Sequence, residues 1–186
     1  HNICNYIHLP VQSGNSACLE RMNRTYDRDW YLNRIDAIRT IIPDCGISSD
    51  VIAGFCGETE EEHQDTISMM QYAKYDMSYM YYYSERPGTL AAKKYVDDVP
   101  LETKKRRLAE IVEVQYQLSL QNNLADIGKT FEVLVEKTSK KSDDEWCGRN
   151  QQNKVIIFPK GNYKAGDYVN VYIESANKAT LKGRVV

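Results

Sequence analysis

Apolar positions in the first hundred residues follow two rhythms. Dense short runs at Asn2 to Leu9, Ile47 to Phe55 and Met77 to Tyr83 read as strands, the third aromatic on both faces. Between the first two, Trp30, Tyr31, Ile35, Ile38 and Ile42 recur at helical spacing, with Asp27 as a cap and Pro43 as a stop. A shorter helix is predicted over Ser16 to Met22. Thr59 and Glu62 form a Thr-x-x-Glu capping box, and the helix it opens turns Ile67, Met70 and Ala73 inward. Strand, helix, strand, helix, strand is the punctuation of a parallel α/β sheet. Pro100 opens a long helix reaching about Ala125, with Leu108, Ile111, Gln115 and Leu118 on one side and Gly128 beyond its end. Lys104, Lys105, Arg106 and Arg107 crowd its first turns and read as a solvated face ahead of an RNA contact.

Near residue 125 the texture changes. Phe131 to Val135, Val155 to Phe158, Tyr168 to Ile173 and Thr180 to Val186 are strand-like, with turns at Gly161, Gly166-Asp167 and Ala176-Asn177. Four or five short strands in this span predict a small antiparallel, OB-like β-barrel. No internal repeat or low-complexity tract is visible.

The 186 residues are 42% hydrophobic and 27% charged, enough for a core and a well-solvated surface. The net charge of −2 conceals an asymmetry: residues 1–126 carry 13 basic and 19 acidic groups, whereas residues 127–186 carry 11 and 7. A basic tail on an acidic body suits a polyanionic partner as well as it suits a plain basic surface. The start at His1 with no signal peptide or transmembrane run reads as a soluble, cytoplasmic piece of a longer protein. Cys4, Cys18, Cys45, Cys56 and Cys147 have no metal-site spacing and read as reduced, mostly buried thiols.

Each predicted strand of the first region ends in a loop rich in glycine and polar residues: His8-Leu9-Pro10-Val11-Gln12-Ser13-Gly14, Gly54-Phe55-Cys56-Gly57-Glu58-Thr59 and Tyr83-Ser84-Glu85-Arg86-Pro87-Gly88-Thr89. Loops that follow parallel strands gather at one sheet edge, where ligands bind. Gln12 and Ser13 offer groups that suit ribose hydroxyls or an amino-acid head, and Arg86 suits a carboxylate or phosphate. The acidic run Glu58, Glu60, Glu61, Glu62 opposes phosphate at the second loop, which on its own reads as a tight turn before a capped helix ahead of a ligand loop. His8 reads as an ordinary hydrogen-bonded histidine.

These loops, with Leu19-Glu20-Arg21-Met22-Asn23-Arg24-Thr25-Tyr26 and the longer run from Asp50 to Thr59, resemble the radical S-adenosylmethionine methylthiotransferases, most closely the branch acting on isopentenyladenosine in tRNA. Gly148-Arg149-Asn150-Gln151-Gln152-Asn153-Lys154 and Leu181-Lys182-Gly183 resemble that family's TRAM domain. The resemblance implies an α/β fold that is the C-terminal half of a partial (βα)6 barrel over residues 1–97, a connecting helix over 98–125, and an RNA-binding TRAM barrel over 126–186. It implies S-adenosylmethionine held near Gln12, Ser13, Ile52, Gly54, Glu58, Ser84 and Arg86, and a tRNA anticodon stem-loop held through Arg149, Lys154, Lys160 and Lys164, with Asn150 and Asn153 shaping turns. It implies transfer of a methylthio group to C2 of the adenine. Threonylcarbamoyladenosine as the substrate, or a non-enzymatic RNA-binding role, stay open. The family also uses two 4Fe–4S clusters, but its Cys-x-x-x-Cys-x-x-Cys motif is not in this sequence, which predicts that the chain alone lacks activity. Where the family commonly has proline, this chain has Cys56, read as a small buried hydrophobe.

Overall fold

The computed structural model describes residues 3–186. Asn2, where the first strand is predicted to begin, lies outside them. In chain order the elements are β1 (Tyr6–His8), α1 (Ser16–Arg21), α2 (Arg28–Ile41), β2 (Gly46–Ala53), α3 (Glu60–Ala73), β3 (Met77–Tyr82), α4 (Leu90–Lys94), α5 (Leu101–Leu124), β4 (Thr130–Thr138), β5 (Glu145–Arg149), β6 (Val155–Pro159), β7 (Tyr168–Ala176) and β8 (Leu181–Val185). The chain divides into two compact units, and the division runs through α5 between Tyr116 and Gln117.

The unit built on residues 8–43 and 47–116 is α/β. In its sheet β2 runs parallel to β3, with Asp50 opposite Tyr79 and Ile52 opposite Tyr81. The connecting helices start where the side chains satisfy free backbone donors. Asp27 accepts from the Trp30 amide to open α2, and Thr59 and Glu62 close a reciprocal capping box on α3. Replacing Thr59 with alanine is expected to lower stability by about 1 kcal/mol in urea unfolding, because two donors lose their acceptor geometry together. Behind the sheet Val11, Leu19, Tyr31, Ile35, Ile47, Val51, Met69, Met70 and Tyr75 are buried. The hydroxyl of Tyr75 donates to Tyr31 (2.9 Å), which donates to the Leu9 carbonyl (2.7 Å), so these two buried hydroxyls are satisfied. Gln115, on the inward side of α5, accepts from the Ser78 hydroxyl and donates to the Tyr75 carbonyl.

The solvated basic face predicted for the start of α5 is corrected in part. Lys105 and Arg106 are exposed, but Lys104 and Arg107 are buried and ion-paired to Asp97 and Glu58. Residues three apart share a helix face, and here that face looks inward.

The second unit holds residues 117–186 with the short segments 1–7 and 44–46. Five strands close a barrel in the order β4-β5-β6-β8-β7. Alternation fills it: Val133, Val135, Ile156, Phe158, Val171, Ile173 and Leu181 point inward and are buried. The fully antiparallel expectation is corrected at one pairing, because β6 and β8 run parallel through Ile156 opposite Leu181. Strand β5 was not singled out by the pattern. It is held by antiparallel ladders to β4 on one side and β6 on the other. Among the described residues no helix is long and apolar enough to cross a membrane.

Candidate cofactor cleft and charged barrel surface

At the ends of the parallel strands a cleft of about 650 Å³ opens, within the range of small-molecule sites. It is lined by Gln12, Arg24, Ile52, Tyr81, Ser84 and Arg86, among others. Gln12 reaches it in a left-handed conformation (φ 69°), unusual for a residue with a side chain. That geometry is held from both sides: the Gln12 amide donates to the Asp50 carbonyl, and the Gln12 carbonyl accepts from Ile52, each at 2.9 Å. Pro10 and Val11 lead into it, with the Val11 amide on the Ser49 hydroxyl. Thr89 accepts at the start of α4 and donates to the Arg86 carbonyl (2.8 Å), which fixes the third loop.

Four of the seven predicted cofactor residues, Gln12, Ile52, Ser84 and Arg86, therefore share one cleft. Ser13, Gly54 and Glu58 do not line it. Ser13 is fully buried, accepts from the Asn15 amide and lies 3.4 Å from the Thr66 hydroxyl, joining the first loop to α3. Gly54 donates its amide to Glu58 Oε2 (2.6 Å), and that carboxylate is buried against Arg107. Arg24, Tyr81 and Thr89 line the cleft too, beyond the predicted cofactor residues. Strand alternation carries the signal for Tyr81, which sits in register with Ile52.

The acidic run at the second loop is not an open acidic face. Glu58 pairs with Arg107, Glu60 with Arg106 and Arg107, and Glu62 with Arg21. The two guanidinium groups hold Glu60 down at about 2, whereas burial pushes the Glu58 carboxyl above the usual carboxylate range. His8 has the satisfied role expected of it, with Nδ1 2.8 Å from the Ser48 hydroxyl. Cys56 is buried with Cys18 and Phe55, and burial raises both thiols, Cys18 to about 11, which suppresses thiolate chemistry.

The donor set of the cleft fits an adenosyl ligand that ends in an amino acid. Ile52 and Tyr81 offer apolar area for a purine, Gln12 and Ser84 neutral polar groups, and Arg24 and Arg86 a counter-charge for a carboxylate. The cysteines do not fit an iron–sulfur cluster. Among the described residues the group with metal-ligand proximity is Glu60, His63 and Glu110, with no cysteine in it, and Arg106 already pairs with both of its carboxylates.

On the barrel, the four predicted RNA contacts separate. Lys160 and Lys164 are exposed, the former 5.0 Å from the centre of the Trp146 ring. Arg149 is half-exposed and pairs with Glu136 at 3.2 Å. Lys154 spends its ammonium on Asp126 (2.6 Å) and the Asn122 carbonyl, and is mostly buried. Asn150 and Asn153 shape the turn as expected: Asn150 Oδ1 accepts from the Lys154 amide, and Asn153 takes a left-handed φ of 63°.

The sequence profile of the radical SAM superfamily matches residues 1–70, and that of the TRAM domain matches residues 125–186. A tRNA-2-methylthio-N(6)-dimethylallyladenosine synthase of Amoebophilus asiaticus is 63% identical over 185 residues, covering 99% of this chain and 38% of the relative. The protein of the same name from Phocaeicola vulgatus is 56% identical over 100% of this chain and 41% of its own length. The chain thus spans about two fifths of the curated relatives it matches. Among solved structures, coproporphyrinogen III oxidase of Escherichia coli, a radical SAM enzyme, superposes with a TM-score of 0.54 at 16% identity, over 79% of this chain and 41% of that one, which bears on the fold alone. The chain thus carries a radical SAM superfamily match over residues 1–70 and a TRAM-domain match over residues 125–186, and over nearly its whole length it is similar to proteins named tRNA-2-methylthio-N(6)-dimethylallyladenosine synthase.

Proposed function

We propose that this chain is part of an enzyme that methylthiolates C2 of N6-isopentenyladenosine next to the anticodon of tRNA. The observation that carries the proposal is the 63% identity, over nearly the whole chain, to a protein named for that reaction. In this reading residues 1–97 supply the last strands of the S-adenosylmethionine-binding barrel, 98–125 the connecting helix, and 126–186 the RNA-binding barrel. Gln12, Ile52, Ser84 and Arg86 contact S-adenosylmethionine, while Ser13, Gly54 and Glu58 hold the loops that present them. S-adenosylmethionine bound with an iron–sulfur cluster supplies the radical and methyl chemistry, and the cluster ligands are not residues of this chain. The share of these residues is to bind and orient the adenosyl group and to exclude water around it.

Deleting the gene that encodes this chain should leave the cell's tRNA with unmodified N6-isopentenyladenosine at the position that otherwise carries the 2-methylthio form. Intact 2-methylthio-isopentenyladenosine together with loss of 2-methylthio-threonylcarbamoyladenosine would transfer the assignment to the other tRNA branch. On the barrel, Lys160 and Lys164 carry the phosphate contacts. Changing both to alanine is expected to lower the slope of log affinity for an anticodon stem-loop against log salt by about 1–2, because roughly one counterion is released per neutralised phosphate. Lys154→Ala should instead weaken folding through loss of its pairing with Asp126.

A further inference from the structure

Lys104 and Arg107 are one turn apart on α5, and each is only 4% exposed. Full burial of either residue type is rare without a partner, since each cation loses its hydration. Both are placed against the backbone of the loops that follow β2 and β3. Lys104 Nζ donates to Asp97 Oδ1 at 2.5 Å and to the Tyr83 carbonyl at 3.2 Å, and lies 5.2 Å from the centre of the Tyr83 ring. Its aliphatic stem lies on Gly54 so closely that a Cβ there would come within 2.4 Å of Lys104 Cγ. Gly54 has a φ of +70°, so glycine is required twice over, by conformation and by the lysine stem. Arg107 Nη1 donates to the Glu58 carbonyl and to Glu58 Oε2, both at 2.9 Å, and the same Oε2 accepts from the Gly54 amide.

One turn of helix thus grips both ends of the Gly54–Glu58 loop and the first residue of the Tyr83–Thr89 loop. Tyr83, Ser84 and Arg86 line the cleft on one side, and Ile52 lines it two residues ahead of Gly54. A leucine at either position would bury apolar area without fixing any carbonyl. A cation with several donors fixes two or three acceptors at set distances. We propose that Lys104 and Arg107 are positioning residues for the adenosyl ligand, setting the separation of the two loops without touching the ligand. The proposal rests on the reading of the cleft given above.

The test uses the full chain with S-adenosylmethionine and 5′-deoxyadenosine as calorimetric probes, and with Tm and amide hydrogen exchange measured in parallel. Lys104→Met is expected to weaken binding of the folded protein by about tenfold or more, through lost preorganisation. Amide exchange should speed up over residues 54–58 and 83–86 and stay unchanged in α2. Asp97→Asn, at a partly exposed position, keeps the lysine and its carbonyl bond and is expected to show a smaller loss of the same kind; it decides the matter should Lys104→Met not fold. A lowered Tm with unchanged affinity and unchanged loop exchange would reduce both cations to ordinary structural groups and overturn the proposal. If the unaltered chain binds neither probe, the reading of the cleft falls and the ligand role of the clamp falls with it. That outcome is distinct, because it appears before any substitution is made.

Discussion

Arg107→Met should destabilise the α/β unit by about 3–5 kcal/mol, the usual cost of removing one partner from a buried pair and stranding the other charge. The side chains of Glu58 and Arg107 are 1% and 5% exposed, so no water can replace the guanidinium. The Glu58 carbonyl loses a donor in the same step. The effect carries a pH signature. Burial already raises the Glu58 carboxyl, and without its counter-charge it should rise further. A carboxyl whose folded pKa lies above its unfolded value adds stability below the unfolded value and loses it as pH rises through the folded one. The deficit of the variant should therefore be smallest near pH 4.5 and grow toward neutrality. Urea unfolding of both proteins across that range measures it, and a deficit independent of pH would show that Glu58 is not the stranded group. The double change Glu58→Gln with Arg107→Met should recover part of the loss, since no charge is then left buried.

The barrel should respond as sharply to Gly183→Ala. A Cβ at this position would stand 2.0 Å from the Tyr172 carbonyl oxygen and 2.9 Å from Val171 Cγ1. Neither neighbour is a flexible side-chain tip. The carbonyl belongs to the strand paired with β8, close to the register shift between Ile173 and Ser175. Relief requires β7 and β8 to separate, and overpacking of this kind against backbone costs about 3 kcal/mol, the upper end of the usual range. That is a large part of the ~5–15 kcal/mol a domain has. Fluorescence of Trp146, read in a Trp30→Phe background, should report unfolding of the variant barrel at much lower urea. Lys182→Ala next to it, on the exposed face, should stay within about 0.5 kcal/mol of the parent. Equal midpoints for Gly183→Ala and the parent would mean that the strands part there at little cost.

Several features of the chain can be read without coordinates because they act within a turn or two of the backbone. The capping box at Thr59 and Glu62, the cap at Asp27 and the inward pairs Val133/Val135, Ile156/Phe158 and Val171/Ile173 are local patterns with one physical meaning each. Strand β5 escapes such a reading. Glu145-Trp146-Cys147-Gly148-Arg149 has only Trp146 and Gly148 facing in, and a glycine weakens any strand signal; the ladders on both sides make it a strand. The parallel β6–β8 pairing is likewise set by closure of the barrel, since neither strand's own residues encode the direction of its neighbour. Helix α4, with no buried residue, has no apolar periodicity to find.

Hydrophobic rhythm and caps are enough on their own to determine a parallel α/β region and a small β-barrel, and the three loop motifs carry a family resemblance. They work because helix and strand periods and capping bonds involve residues only a few positions apart. The fate of each charge was decided only in three dimensions. Four consecutive cations at 104–107 look alike in sequence, yet two are buried because Glu58 and Asp97 meet them from outside the helix. Lys154 and Lys160 look alike too, and one is tied to Asp126 while the other is exposed beside a tryptophan ring. The energy of a buried ion depends on partners that the fold brings near, so which polar residues line the cleft and which brace its walls is a property of the tertiary structure.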